Sequence, residues 1–273
     1  MHTRRDIRAF GLAGLAAITA VGLGACDDDP TSPATPTTFQ VTIQNVSGMG
    51  TIASDRVGGS VPLSPGAYAV FSGADPLFTD GQLADSGTRL IAEDGFPSFP
   101  DMLAPPQTEG TTELELLAAA GVTGVGVFQA PGAGTIGPAA PGIFPGETAT
   151  FTITASRGDR LQIETMFVQS GDWFYAFEQD GDAGLALFDG DDPISGVVDV
   201  NDVMVVYDAG TEIDVAPGTG PTTPPGAVQK PVQDPTATSV GTDESVPIQD
   251  ARTRHSFDIP DNSDVIRVTI TPQ

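Results

Sequence analysis

A chain of 273 residues with 39% hydrophobic content, 33 glycines and 24 prolines has apolar material for a core, but favours short strands and turns over long helices. Its net charge of −25, from 36 acidic against 11 basic residues, excludes nucleic acid as a partner, because phosphates would be repelled rather than neutralised. The same acidity suits cation binding, general solubility or a salty habitat.

The first 25 residues read as an address. Arg4, Arg5 and Arg8 precede an apolar run, Phe10 to Leu23, that closes on Leu23-Gly24-Ala25-Cys26. The run is too short and too glycine-rich for a membrane span, and the order basic, apolar, small is that of an export signal. The closing residues resemble the bacterial lipobox, in which the cysteine takes lipid and becomes the mature N-terminus. The alternative is an ordinary signal peptide cut near Ala25, with Cys26 incidental. Cys26 is the only cysteine, which excludes an intramolecular disulfide and cysteine-cluster metal or redox motifs. Residues 26–38 are acidic, rich in Pro and Thr, and non-periodic, so they read as an extended tether. The expected location is the bacterial cell envelope, periplasmic or surface-facing, with the lipid anchoring the chain to a membrane.

Residues 39–273 read as the folded part. Phe39 to Val46 alternates with period two, a half-buried strand, and Gly66 to Phe71 is a second. Leu83 to Asp94 reads as a short helix ending at Gly95, and Glu113 to Ala120 as another, ended by Gly121. Gly132, Gly134 and Gly137 have a phosphate-loop spacing, but Pro138 follows and no strand precedes them, so composition explains them. Thr148 to Ala155 is an alternating strand; Arg157 to Arg160 is a tight turn, and Leu161 to Val168 is expected back as its hairpin partner. Further strands are expected at Gly184 to Phe188, Val203 to Tyr207 and Val265 to Ile270, with a long Pro/Thr/Gly loop over 216–247. The expected fold is mainly β: an antiparallel sandwich with one or two short helices and long Gly/Pro-rich loops.

Two strand-like runs end abruptly in acids. T-M-F-V-Q-S-G-D-W-F-Y-A-F carries Asp172 directly before the only tryptophan, Trp173, and V-V-Y-D-A-G-T-E carries Asp208 and Glu212. Strands that deliver carboxylates to one sheet edge suit a hard cation such as Ca2+, and Gly210 permits the turn that brings Asp208 and Glu212 to one ion. The competing reading has these acids capping loops, with Asp208 as an Asx-turn residue. Asp180-Gly181-Asp182 and Asp189 to Asp192 read as solvated turns, and Glu93 and Asp94 as helix-end or arginine-pairing acids.

F-Q-V-T-I-Q-N-V-S (39–47), L-S-P-G-A-Y-A-V-F (63–71), I-A-E-D-G (91–95), G-D-R-L (158–161), T-M-F-V-Q-S-G-D-W-F (165–174), P-I-S-G (193–196) and Y-D-A-G-T-E (207–212) together resemble the spondin domain, in its bacterial branch. The resemblance runs from about Phe39 to Ile270. It implies a C2-like β-sandwich with calcium at one end. Asp172 matches the acid before the tryptophan, Asp208 the first acid of the D-A-G-T-D motif, and Glu212 the position that closes it with aspartate in animal members. Those members act in extracellular adhesion and recognition, which implies an extracellular or periplasmic protein or glycan as ligand. Their disulfide cysteines and thrombospondin-type repeats are missing here, so matrix assembly is not implied.

Triad hydrolases need a placed histidine. His2 lies in the export signal and His255 in a polar stretch near the C-terminus, so the expectation is a non-enzymatic module. The alternative is a carboxylate-dependent hydrolase acting on envelope or extracellular polysaccharide, for instance through Glu164 and Asp172. Those two, eight residues apart along a strand, are too separated for a glycosidase pair.

Overall fold

The computed structural model describes residues 35–98, 111–131, 142–179, 181, 183–219 and 244–273. Cys26 and the rest of the N-terminal address lie outside the described residues, as do 220–243 of the long loop and the glycine loop at 132–141. One compact unit spans Ala34–Gln273.

Two antiparallel sheets form a sandwich. The first contains β1 (Thr37–Asn45), β4 (Thr148–Ala155) and β8 (Ile266–Pro272), in the order Gly196–Val197, β8, β1, β4. The second contains β2 (Leu63–Phe71), β3 (Val125–Phe128), β5 (Arg160–Phe167), β6 (Trp173–Phe177) and β7 (Met204–Asp208), in the order Gln249–Asp250, β7, β6, β5, β2, β3. In the first sheet Val41 sits opposite Ile270 on one side and Phe151 on the other, so the period-two residues fall on one inner face. They meet Leu161, Ile163, Trp173, Tyr175 and Phe177 from the second sheet in one continuous core.

The second sheet is dry on both faces. Helix α1 (Ser86–Asp94) covers its outer side, and α2 (Glu113–Ala119) packs beside α1; Phe174, Ala176 and Tyr207 join Ile91, Ala92 and Leu117 there. This explains why all five residues of W-F-Y-A-F are buried: odd positions face the inter-sheet core and even positions the helices. Helix α1 begins at Ser86, three residues later than the sequence suggests, because the Asp85 carboxylate accepts from the N–H groups of Gly87 and Thr88 at 2.9 and 3.0 Å. It ends on Gly95 in the left-handed region at φ 71°. Among the described residues two single α-helical turns, Val200–Val203 and Ala251–Arg254, and two 3-10 turns, Arg56–Gly59 and Asn262–Asp264, complete the helical content.

One connection differs from expectation. The turn at 156–159 forms, with the Asp159 N–H donating to the Ser156 carbonyl at 3.0 Å, but β4 and β5 are not hairpin partners. β4 pairs with β1, and β5 with β2 and β6, so the turn is an arch between the sheets. The burial patterns supply the reason. β4 has one dry face and alternating exposed threonines, whereas β5 is buried on both faces from Leu161 onward. A strand with a wet face belongs to the uncovered sheet and one without to the helix-covered sheet. The expected strand at Gly184 to Phe188 is also broken into two short pieces, Leu185–Ala186 on β5 and Phe188–Asp189, the latter paired with Asp192–Pro193.

Candidate metal centre

The centre grows from the register between β6 and β7. Asp208 stands opposite Trp173, so Asp172, one residue earlier, lies at the same end of the sheet. The ladder continues one step past the strands, the Ala209 N–H donating to the Asp172 carbonyl at 3.1 Å. The turn that leads into β6 is held from several sides. Gln169 adopts φ 84°, a region that non-glycine residues enter only at a cost in backbone strain. Its side chain accepts from Ser54 Oγ at 2.8 Å and donates to the Ser60 carbonyl at 2.5 Å, while its carbonyl accepts from the Gly218 N–H at 2.7 Å. Ser170 Oγ then accepts from the Trp173 N–H at 3.0 Å.

The D-A-G-T-E segment wraps round Asp172. Asp208 Oδ1 accepts from the Gly210 N–H at 2.7 Å, the Asx-turn geometry. Gly210 has φ 68°, and a Cβ there would stand 2.2 Å from the Val246 carbonyl oxygen, so this position requires glycine twice over. Past the turn, Asp172 Oδ2 accepts from Thr211 N at 2.6 Å, Thr211 Oγ1 at 3.0 Å and Glu212 N at 3.0 Å. All three sequence-predicted ligands, Asp172, Asp208 and Glu212, are therefore gathered at one end and buried.

Three further residues enter the centre that sequence reasoning did not include. Asp214 lies two residues past Glu212, and its Oδ2 accepts from Trp173 Nε1 at 2.8 Å. His255 Nε2 lies 2.7 Å from Asp208 Oδ2 and 3.0 Å from Asp214 Oδ2. Arg254 Nη1 lies 2.9 Å from Asp208 Oδ1. Arg254 and His255 arrive because the segment after the long loop pairs with the D-A-G-T-E turn: Glu244 N donates to the Thr211 carbonyl at 2.9 Å and Val246 N to the Gly210 carbonyl at 3.1 Å. The helical turn Ala251–Arg254, capped by Asp250, then carries both side chains back over the strand end. His255, read from the sequence only as part of a polar stretch near the C-terminus, thus stands against the acids. No local pattern in the sequence marks Asp214, His255 or Arg254.

Electrostatically the centre is crowded. Burial, and then the neighbouring Asp208, push the Asp172 carboxyl up to about 7, against the stabilising N–H groups of Glu212 and Thr211. Burial, followed by Asp172 and Asp208, pushes Asp214 up to about 9. Glu93 on α1 is hydrogen-bonded to Thr211 and pairs with Arg89 at 2.8 Å, the arginine-pairing role expected for it. Asp172 Oδ1 and Asp214 Oδ1 are fully buried oxygens with no hydrogen-bond partner. Gly171 lets the backbone pass close to these acids: a Cβ there would clash with Asp214 Oδ1 at 2.8 Å and stand 3.5 Å from Glu212 Oε2. Buried carboxylate oxygens without donors fit an oxygen-ligated cation.

Glu164, offered by sequence as a possible partner of Asp172, sits elsewhere. It lies within β5 under α1, where its Oε1 accepts from Thr88 Oγ1 at 3.2 Å. No protein-family model matches this chain, and no curated protein matches it in sequence.

Proposed function

We propose that this chain is a spondin-like, non-enzymatic recognition module of the bacterial cell envelope, held to a membrane by lipid on Cys26 and stabilised by Ca2+ at the acidic end of its sandwich. The observation that carries the calcium reading is the pair of partnerless buried oxygens, Asp172 Oδ1 and Asp214 Oδ1, with Glu212 Oε2 close to Asp214 at Gly171. Asp172, Glu212 and Asp214 would hold the ion, with Asp208 lining the centre. The ion would neutralise acids that otherwise repel one another. The partner under this reading is an extracellular or periplasmic protein or glycan.

A ligand that binds the folded state at about a hundredfold above its Kd adds ~2.7 kcal/mol of stability. For a domain of this size that raises the melting temperature by roughly 5–10 °C. Calcium added to chelator-treated protein is expected to give such a shift, and Asp172→Asn to remove it. Without metal Asp172→Asn should melt close to the parent, since burial already favours the neutral acid. Absence of any calcium-dependent shift in the parent protein sinks the calcium reading. Release of reducing sugar from envelope glycan, abolished by one carboxylate substitution, would replace the recognition reading with a hydrolase.

The anchor has its own test. Metabolic labelling with a fatty-acid analogue in a bacterial host should mark the parent chain and not Cys26→Ala. Label that survives the substitution removes Cys26 from the reading.

A further inference from the structure

The same end of the sandwich contains a donor set that calcium does not favour. One ligand atom each from Asp208, Asp214 and His255 lies within 4.8 Å of the other two. Imidazole nitrogen is a poor calcium ligand and a good one for borderline dications such as Zn2+, Co2+ and Ni2+. Around a zinc ion with bonds of about 2.0–2.2 Å, tetrahedral donors stand roughly 3.4 Å apart. The observed separations of 2.7 and 3.0 Å about His255 Nε2 are those of shared protons, and would open by about half an ångström on exchange of proton for metal.

A second observation is independent of that spacing. The Asp214 side chain is 1% exposed, yet its Oδ1 has no partner, and the same holds for Oδ1 of the neighbouring Asp172. Acceptors this deeply buried are left with unmet demand for positive charge. Arg254 supplies one charge to Asp208, against four buried or nearly buried carboxylates at 172, 208, 212 and 214.

The donors are also preoriented, as hydrogen bonds and packing behind the ligands orient them in metal centres. The His255 ring stacks on Trp173 at 5.6 Å and on Phe257 at 5.0 Å, with interplanar angles of 20° and 18°. Trp173 Nε1 fixes Asp214, and the Gly210 N–H fixes Asp208. His255 retains 17% exposure, which leaves an entry path from solvent.

We propose that Asp208, Asp214 and His255 form an imidazole-containing site for a zinc-class dication, adjoining the calcium position and sharing its acidic wall. The inference goes beyond the calcium reading and is tested separately from it. Purified, chelator-treated protein in calcium-free buffer near neutral pH is titrated with Zn2+ by calorimetry, and with Co2+ as a spectroscopic substitute. The expected result is saturable binding of one ion, with visible Co2+ absorption bands. His255→Phe keeps the aromatic stack and removes the nitrogen; it should weaken zinc binding by about a hundredfold or more and abolish the Co2+ bands. His255→Gln provides the same comparison if the phenylalanine variant does not fold, as judged by circular dichroism. Asp214→Asn should also lose zinc, whereas Asp172→Asn should keep it and lose calcium. No saturable zinc binding, or binding unchanged without the imidazole, overturns the proposal. Calcium binding that persists while zinc fails leaves the calcium reading standing, and the opposite pattern removes that reading alone.

Discussion

Trp173→Ala is expected to lower folding stability by about 4–5 kcal/mol, at the upper end for loss of a buried aromatic ring. The indole is fully buried in the inter-sheet core, in contact with Phe167, His255 and Phe257. Alanine would leave a cavity between the sheets and remove the wall on which His255 stacks. It would also take the Nε1–H from Asp214, whose other oxygen already has no donor. Trp173→Phe separates these effects by keeping an aromatic ring and deleting the donor. Its expected cost is smaller, about 1–2 kcal/mol for the stranded acceptor and the missing ring volume. Urea denaturation followed by circular dichroism measures both. A loss below about 1 kcal/mol for Trp173→Ala would show that the core does not depend on the indole.

A second large effect is expected beneath the helices, away from the candidate metal centre. Glu113, the first residue of α2, and Glu164, on the outer face of β5, are both buried, and each has an Oε2 without a hydrogen-bond partner. Glu113 is pressed against α1, its Oε2 only 2.1 Å from where a Gly87 Cβ would stand. Burial, then Asp85 and Asp75, push Glu113 up to about 9; burial, then Glu113, push Glu164 well above the carboxylate range. Both acids are therefore held protonated in the folded state. An acid with a folded pKa of 9 and an unfolded pKa of 4.5 binds more protons folded than unfolded between those values. Stability is untouched below pH 4.5 and falls as pH rises toward 9, by ~1.4 kcal/mol per unit per group. At pH 7 the protonation of Glu113 alone costs on the order of 3 kcal/mol. Glu113→Gln should stabilise the protein at pH 7–8 by up to about that amount, and Glu164→Gln in the same direction, with no gain near pH 4. Denaturation midpoints across that range provide the check. A gain independent of pH would mean that ionisation is not the source.

The acids of the candidate metal centre differed in how visible they were beforehand. Asp172 and Asp208 stand at the ends of apolar runs, so strand periodicity alone puts both at a sheet edge, and the observed register places them at the same one. Gly210 was legible for a similar reason, as the permissive residue of the turn between two acids. Asp214 lay in a stretch with no pattern, and its role depends on a hydrogen bond from an indole 41 positions earlier. His255 and Arg254 were read as members of a polar tail. They reach Asp208 only because residues 244–246 pair with the turn at 210–211, across a loop whose composition encodes no register. Glu164, weighed from the sequence only as a candidate hydrolase acid, is buried because α1 covers that face of β5.

The arch between β4 and β5 makes the same point for the fold. The sequence identified both strands and the turn between them, but a tight turn fits a hairpin and an arch equally well. Which forms depends on whether the second face of β5 finds helices to cover it, and that cover comes from residues 86–94 and 113–119.

By itself, then, the sequence determined most of the local elements: strands β1, β2, β4, β5, β7 and β8, the two helices with the glycines that end them, and the acids that end two apolar runs. Periodicity, capping and turn chemistry act between residues a few positions apart, so they can be read along the chain. The tertiary structure alone decided which sheet each strand joined, which carboxylates were stripped of water, and that an arginine and a histidine would face them. Desolvation and charge pairing depend on groups brought together from distant positions, and neither leaves a local pattern.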